Sequence, residues 1–557
     1  MGDKEEKVQE LKRYIAYLVE LRKPWAQAWE SVREHARPMR GFEVNSLKPK
    51  KAKVEDLISD KTSDSFASRA MRILAAGLHS GLTPQSRSWF SLRIQDEDLM
   101  KYGPVEEWLY TVERRIYAEF ARSNFYPAIH AVYADLVSCC SGCFGMSARP
   151  GVGVVFQDVP IGLFAWARDV DGKINTTARY FTMTAKELVL KYGNRVHEST
   201  RRIAEKEPFR EMGLYHVVMP RPYSERQTGK IDNTNKPFAS YLFEEGNNTM
   251  IDEGGFNTFP YLCARWDVIG GEIYGRGVGF DNLADIRMLQ AIGRDQAMAI
   301  RMSVTPPMKV PASLKGQPLY LIPGAKNYVS ENMHEAIGPL YEVRADIAAA
   351  TAKIADLRQA IREGEFNDLF LMLANDDKTM TAYEVAQKNS EKLMMLGPIV
   401  GRHQSDILDP GISGVFQALS EMGAFPPPPE ELADTNMDIE FTSILALAQR
   451  LTEAVATRNI INDAKSMAEV YPEIIDKVDF DKSIDRIALV EGSPPDVVRS
   501  DEVVAQIRQQ RAEQQAAQAQ QQEMMMREAA MIEQAKTLGD TNTQPGSALG
   551  DLLGAAS

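Results

Sequence analysis

Apolar residues recur every three or four positions along much of the first 140 residues, the spacing that gives a helix one apolar side. From Val8 the positions Leu11, Ile15, Leu18 and Leu21 step in this way. Pro24 then stands where it can open a second helix bearing Trp25, Trp29 and Val32, which predicts a helical hairpin or a kinked helix. A further helix from residue 59 carries Phe66, Ala70, Ile73, Leu74 and Leu78 on one side and stops near Gly81 and Pro84. Trp89 to Leu92 reads as a short strand, and helices follow over 105–123 and 127–140. Between residues 144 and 270 the pattern changes. The segments FGMSA, GVVF, ARYFTM, LYHVVMP, ASYLFEE and YLCARWDV alternate or run apolar between Gly, Asn, Asp and Pro, so this stretch reads as strands joined by turns.

Helical spacing returns at Asp281. A helix over 281–304 places Arg287, Arg294 and Arg301 seven residues apart, hence on one face as a basic stripe. A second helix begins at Ala345, with Ile347, Ala350, Ile354, Leu357 and Ile361 in an a/d pattern suited to packing on other helices. The prolines and glycines of PPMKVPASLKGQPLYLIPGAKNYV between them exclude a helix and suggest a compact strand-and-turn module. The polar residues Asn375, Asp376, Asp377 and Lys378 read as a loop, and Thr381 with Glu384 forms a capping box that starts the next helix. That helix should kink at Gly397-Pro398 and break again at Pro410-Gly411. Pro426 to Pro429 reads as a polyproline spacer, MDIEF as a strand and TSILALAQRLTEAVATRNII as a helix. From Glu502 to Lys536 the chain is rich in Gln, Ala and Met, compatible with a long helix that has a thin apolar seam. The tail from 541 to 557 carries no pattern that would order it. The fold class is α+β, predominantly helical.

Composition narrows the chemistry. With 557 residues and 44% hydrophobic content the chain can bury a sizeable core. Lys and Arg number 64 against 77 Asp and Glu, a net charge of −13, so the whole molecule lacks the footprint of a nucleic-acid wrapper. The charged start and the lack of any run of ~18 apolar residues predict neither a signal peptide nor a membrane span, and a cytosolic life. Cys139, Cys140 and Cys143 cluster among aromatic and small residues, and Cys263 sits in an apolar run. No second CxxC and no paired His motif follows, so the reading is buried reduced thiols over a metal or redox site. The seven histidines are scattered without an HExxH pattern. Gly275, Gly277 and Gly279 lack the GxGxxG spacing, and no GxxxxGK[ST] wraps phosphates in backbone amides. No catalytic residue, cofactor or metal is expected. A cytosolic enzyme of unknown type is the rival reading, which the missing nucleophile, phosphate-loop and metal motifs weigh against. A coiled-coil scaffold would need more than the two heptads at 347–361.

Five elements together resemble the portal proteins of short-tailed phages: SGLTPQSRSWFSL at 80–92, YGRGVGFDNLADIRMLQ at 274–290, MTAYEVAQKNSEKL at 380–393, IEFTSILALAQR at 439–450 and IRQQRAEQQ at 507–515. They stand in the order that family shows, over residues 5–520. The resemblance implies a ring subunit divided into wing, stem, clip and crown. Residues 1–270 would form the wing, 271–304 and 345–370 the two stem segments, and 305–344 the clip. Residues 371–380 would be a tunnel loop, 381–438 a kinked wing helix and linker, 439–500 the crown and 501–540 a helical barrel. It further implies a homo-dodecamer in the virion, assembled in the host cytoplasm, that passes double-stranded viral DNA without lasting or sequence-specific hold. The implied partners are a terminase large subunit docking on the clip, a tail adaptor, and the major capsid and scaffolding proteins. No membrane is involved. Within this frame Asn375, Asp376, Asp377 and Lys378 face the channel. Arg287, Arg294 and Arg301 bridge to Asp346, Asp356 or Glu363 on an adjacent stem. A net-negative subunit suits a wall along which DNA must slide, although the same charge also simply keeps a protein soluble.

Overall fold

The apolar stripe that begins at Val8 folds as one helix, α1 (Gly2–His35), with Pro24 inside it. The hairpin that Pro24 allowed does not form. Val8, Leu11, Ile15 and Leu18 before the proline and Ala26, Trp29 and Val32 after it are all buried, and this burial outweighs the one backbone bond that Pro24 removes. The computed structural model describes residues 2–39, 41–50, 61–86, 88–94, 96, 99, 102–149, 151–226, 232–310, 312, 315, 338–340, 346–375, 396–432, 437–440, 444–468, 471, 473, 477–491 and 501–541. The chain divides into two compact units, residues 1–97 with 108–449 and residues 98–107 with 450–557.

In the first unit α1 is followed by α2 (Phe66–Leu82), β1 (Ser91–Ile94), α3 (Gly103–Arg122), whose first turn belongs to the second unit, and α4 (Phe125–Cys139). Then come β2 (Ser141–Arg149), β3 (Gly153–Val159), β4 (Phe164–Arg168) and β5 (Ile174–Thr184). Two short helices, α5 (Ala185–Tyr192) and α6 (Glu198–Lys206), interrupt what the sequence presents as an unbroken strand region. Their stripe is too short to stand out, but Thr184 and Glu187 form a capping box that starts α5. β6 (Glu211–Pro220), β7 (Phe238–Glu244), β8 (Met250–Phe256) and β9 (Tyr261–Arg265) complete the strand region.

These strands make two antiparallel sheets, β4-β5-β6-β7-β8 and β3-β2-β9. The period of two along each strand sends side chains to opposite faces. On one face of the larger sheet Ala178, Val217, Tyr241 and Phe243 pack under the Val8 to Val19 stripe of α1. On the other, Leu214 and Leu242 pack with Leu188 of α5, Val196 and Ile251. The Arg22 guanidinium, fully buried, joins α1 to this region by donating to the carbonyls of Gly162 (2.5 Å), Phe164 (2.9 Å) and Ser46 (2.7 Å), with Glu43 and Val44 at 3.4 and 3.3 Å.

The glycines of YGRGVGF serve packing. A side chain on Gly275 would strike the carbonyl oxygen of Cys140, and one on Gly279 that of Ser138, so the segment lies directly on the end of α4. It leads into α7 (Val278–Asp281), α8 (Leu283–Val304), the short strands β10 (Met308–Lys309) and β11 (Gly338–Pro339), α9 (Ile347–Gly364) and α10 (Asn367–Asn375). Of the 305–344 module only the β10–β11 pair and a few flanking residues are among the described residues.

The expected break at Pro410-Gly411 is absent. α11 (Gly397–His403) passes through a π-helical turn at Gln404–Leu408 into α12 (Asp409–Glu421). The wider turn just before Pro410 relieves the ring clash that would otherwise end the helix. Asp406 on that turn accepts two bonds of 2.9 Å from the Arg265 guanidinium, a nearly buried pair that ties it to β9. The prolines after α12 lie against α3, where Trp108 Nε1 donates to the Pro426 carbonyl at 3.0 Å. β12 (Met437–Glu440) then pairs antiparallel with β1. α13 (Ile444–Ala468) runs on into the second unit, which also holds α14 (Phe480–Glu491) and α15 (Asp501–Thr541). Arg508 of α15 makes a bidentate pair with Asp481 of α14 at 2.6 and 2.8 Å.

Candidate functional site: a rooted helical hairpin

α8 and α9 run in opposite directions as the two arms of a hairpin. Asn282 at the head of α8 meets Glu365 just past the end of α9, and farther out Gln296 Nε2 donates to Thr351 Oγ1 at 2.8 Å. The β10–β11 ladder, Met308 opposite Pro339 and Lys309 opposite Gly338, continues the same antiparallel pairing. The a/d pattern of α9 does what its spacing predicts near the root, where Ile354, Leu357 and Ile361 are buried. Ile286 and Leu289 are their counterparts on α8.

Three polar anchors hold the hairpin to the rest of its unit. Gln290 is wholly buried: its oxygen accepts from the amides of Ser63 (2.7 Å) and Asp64 (2.8 Å), and its nitrogen donates to the carbonyls of His35 (3.0 Å) and Asp64 (2.8 Å). Arg287 donates to Ser31 Oγ on α1, its Nε at 3.1 Å. Arg358 of α9 grips Asp64 Oδ2 at 2.8 and 3.1 Å.

The root contains a buried acid. Glu365 has no exposed surface; its Oε1 accepts from Asn282 Nδ2 at 3.2 Å and its Oε2 has no partner among the described residues. Burial pushes its carboxyl up to about 8. The chain turns sharply here, since Phe366 adopts a left-handed φ of 49°, which ends α9 and redirects α10. α10 then packs on α2, where Gly77 leaves room for the Phe370 ring.

Away from the root the hairpin is bare. Met298 (58% exposed), Ile300, Val304 (75%), Leu340 and Ile347 are large apolar residues open to solvent on α8, its extension and the start of α9. A helix that shows apolar residues on an outer face lacks a neighbour there.

The residues singled out from the sequence are distributed as follows. Of the basic stripe, Arg287 turns back onto α1, Arg294 Nε donates to the Gln290 carbonyl at 3.2 Å, and Arg301 is exposed. Among the acidic candidates, Asp346 caps its own helix by accepting from the Ala349 amide at 2.9 Å, Glu363 accepts from Gln359 at 2.7 Å, and Asp356 is exposed. Asn375 is the last residue of α10, while Asp376, Asp377, Lys378 and the Thr381–Glu384 capping box lie outside the described residues. All four cysteines are buried and free. Gln290 and Glu365 were missed, although each carries a signal: Gln290 follows Ile286 by four residues on the apolar side of α8, and Glu365 follows Ile361 by four on that of α9.

Among the described residues no group of three or more His, Cys, Asp or Glu could hold a metal ion, and no helix is long and apolar enough to cross a membrane. The family described as bacteriophage head to tail connecting protein matches residues 8–498. The chain is 33% identical over 551 residues to a probable portal protein of Bordetella phage BPP-1, covering 96% of each chain. It is also 33% identical over 509 residues to the portal protein of Salmonella phage epsilon15, covering 90% of each.

Proposed function

The chain belongs to the bacteriophage head to tail connecting protein family, and from that premise we propose that it is the subunit of a twelve-membered portal ring at one capsid vertex. The ring is a passage for the viral genome during packaging and ejection. It is also a platform for the terminase, the tail adaptor, and the capsid and scaffolding proteins during assembly. It supplies geometry and no catalysis. The observation that carries this reading is the α8–α9 hairpin, anchored by Gln290, Arg287 and Arg358 at its root and apolar yet uncovered along its outer length. Copies arranged head to tail would cover those residues, and such heterologous contacts close into a ring when the rotation between neighbours allows. In this arrangement α8 and α9 are stem helices, the β10–β11 module belongs to the clip, and the segment after Asn375 faces the channel. Lys378 then forms a circle of positive points around the duplex, with Asp376 and Asp377 preventing a lasting hold, and the net charge of −13 keeps the wall from binding phosphates tightly.

Mass photometry and negative-stain imaging of the purified chain test the reading. Rings with a central hole are expected; a compact monomer at micromolar concentration with no rings in micrographs would refute it. Lys378→Ala should leave assembly intact and alter DNA retention or packaging yield. Assembled Lys378→Ala rings that package and retain genomes like the parent would remove this residue from the mechanism.

A further inference from the structure

Cys143 on β2 and Cys263 on β9 stand directly opposite each other. The ladder between these strands fixes which kind of pair they form. Trp266 N donates to Cys140 O at 3.0 Å and Met146 N to Pro260 O at 2.8 Å, so the hydrogen-bonded pairs fall on the even-numbered residues of β2. Because the two kinds of pair alternate in an antiparallel ladder, Cys143 and Cys263 form a non-hydrogen-bonded pair. In such pairs the Cα atoms approach to about 4.5 Å and the side chains lie side by side on one face. That separation lies within the range of about 4.4–6.8 Å that a disulfide spans. Both residues are buried, at 0% and 4% exposure, and both are free. Beside Cys263 Sγ stand the Thr177 hydroxyl at 3.8 Å and the Tyr261 carbonyl at 3.9 Å, and beside the Cys143 thiol stands the Trp166 indole.

We propose that Cys143 and Cys263 are a latent cross-strand disulfide, a modification site that closes on exposure to a peroxide. One thiolate attacks the peroxide O–O bond, giving a sulfenic acid and releasing water or an alcohol. The second thiol attacks the sulfenic sulfur and expels water as the S–S bond forms. With hydrogen peroxide the balance is two thiols and one peroxide to one disulfide and two waters; the sulfurs lose two electrons and the peroxide gains them. Reaction is slow in the native state because burial, and after it the neighbouring Cys263 thiol, hold the Cys143 thiol well above its ordinary range. A thiol reductant reopens such a bond by exchange, so the site is reversible.

The bond would close a loop holding the entire five-stranded sheet, since β4 to β8 all lie between residues 143 and 263. A link across so long a loop removes much of the freedom of the unfolded chain. Cys139 and Cys140 serve as internal controls, because they are equally buried and Cys140 faces Trp266 across the strands in place of a cysteine.

The full chain is incubated with hydrogen peroxide at pH 7 and pH 9, then denatured in N-ethylmaleimide, digested and analysed by mass spectrometry without reduction. The expected result is one dominant linked peptide joining residues 143 and 263, forming faster at pH 9 and lost on reduction. The oxidised protein should melt several degrees higher than the same sample after reduction. Cys143→Ser should abolish that oxidised-minus-reduced difference whatever its own melting temperature. Alkylation of both cysteines after peroxide exposure would overturn the proposal. So would links from Cys139 or Cys140 in place of this pair, or a melting difference that persists in Cys143→Ser.

Discussion

At the scale of single residues, the protein places several ionisable groups where water cannot reach them. Arg22 resolves the cost by donating to backbone carbonyls, and Arg265 with Asp406 by forming a bidentate pair. Among the described residues Glu365 has only the Asn282 amide, at the sharp turn that Phe366 makes. Its folded value of about 8 stands above the ordinary glutamate value of ~4.3, so the native state holds the proton more tightly than the unfolded chain does. The stability it contributes is fully present below the ordinary value and is lost as pH rises toward and through about 8, at a slope approaching ~1.4 kcal/mol per pH unit. His403 acts in the opposite sense. Buried without a partner for either ring nitrogen among the described residues, it is pushed down to about 3, and its contribution is lost as pH falls from ~6.5 toward that value. Urea unfolding of Glu365→Gln across pH 5 to 9 should show a flatter fall between pH 5 and about 8 than the parent, with the smallest difference at pH 5. Parallel pH curves for the two proteins would show that the acid is not held protonated.

At the scale of elements, what matters is how a hairpin of two amphipathic helices is fastened at one end. Apolar packing of Ile354, Leu357 and Ile361 sets the helices side by side but permits sliding. Gln290 removes that freedom, since its amide meets four backbone groups on the segments that end α1 and precede α2. Gln290→Leu would keep the volume and leave the Ser63 and Asp64 amides without acceptors. The expected loss is about 3 kcal/mol, with faster hydrogen exchange at Ser63 and Asp64 and little change in the five-stranded sheet. Uniform destabilisation with unchanged exchange at those amides would deny Gln290 its role as a local fastener. The π turn at Gln404–Leu408 shows the same economy, for it admits Pro410 without ending the helix and presents Asp406 to Arg265.

At the scale of the whole molecule, the outer part of the hairpin is unfinished in a single chain. Exposed Met298, Val304 and Ile347 ask for a neighbour, and the proposed ring would place one there. On the ring proposed here, Arg301, and beside it Arg294, reach Asp356 or Glu363 of the next copy. Asp346 is the poorer candidate because it caps α9, and Arg287 is engaged with Ser31 of its own chain. Replacing Arg294 and Arg301 together with Gln should raise the protein concentration needed for half assembly by about tenfold, since exposed pairs contribute only ~0.2–1 kcal/mol each. Rings that form at unchanged concentration and heat stability would reduce the stripe to an ordinary surface.

The order and type of most elements were legible in the chain because periods of two and 3.6 are local properties of neighbouring residues. So were the two arms of the hairpin, the strand that becomes β12 and the long final helix. The glycines of YGRGVGF could be denied a phosphate-binding role from spacing alone. Their actual use, backbone against the end of α4, depends on Cys140 and Ser138, which lie more than a hundred residues earlier. Pro24 illustrates the same limit: local chemistry allowed a hairpin or a kinked helix, and burial of residues on both sides of the proline keeps α1 one helix. The polar residues on apolar faces, Gln290 and Glu365, were visible as irregularities without a meaning. Only the tertiary structure decided what they do, because a buried polar group takes its role from the partners that folding brings within hydrogen-bond reach, and those partners are remote in sequence.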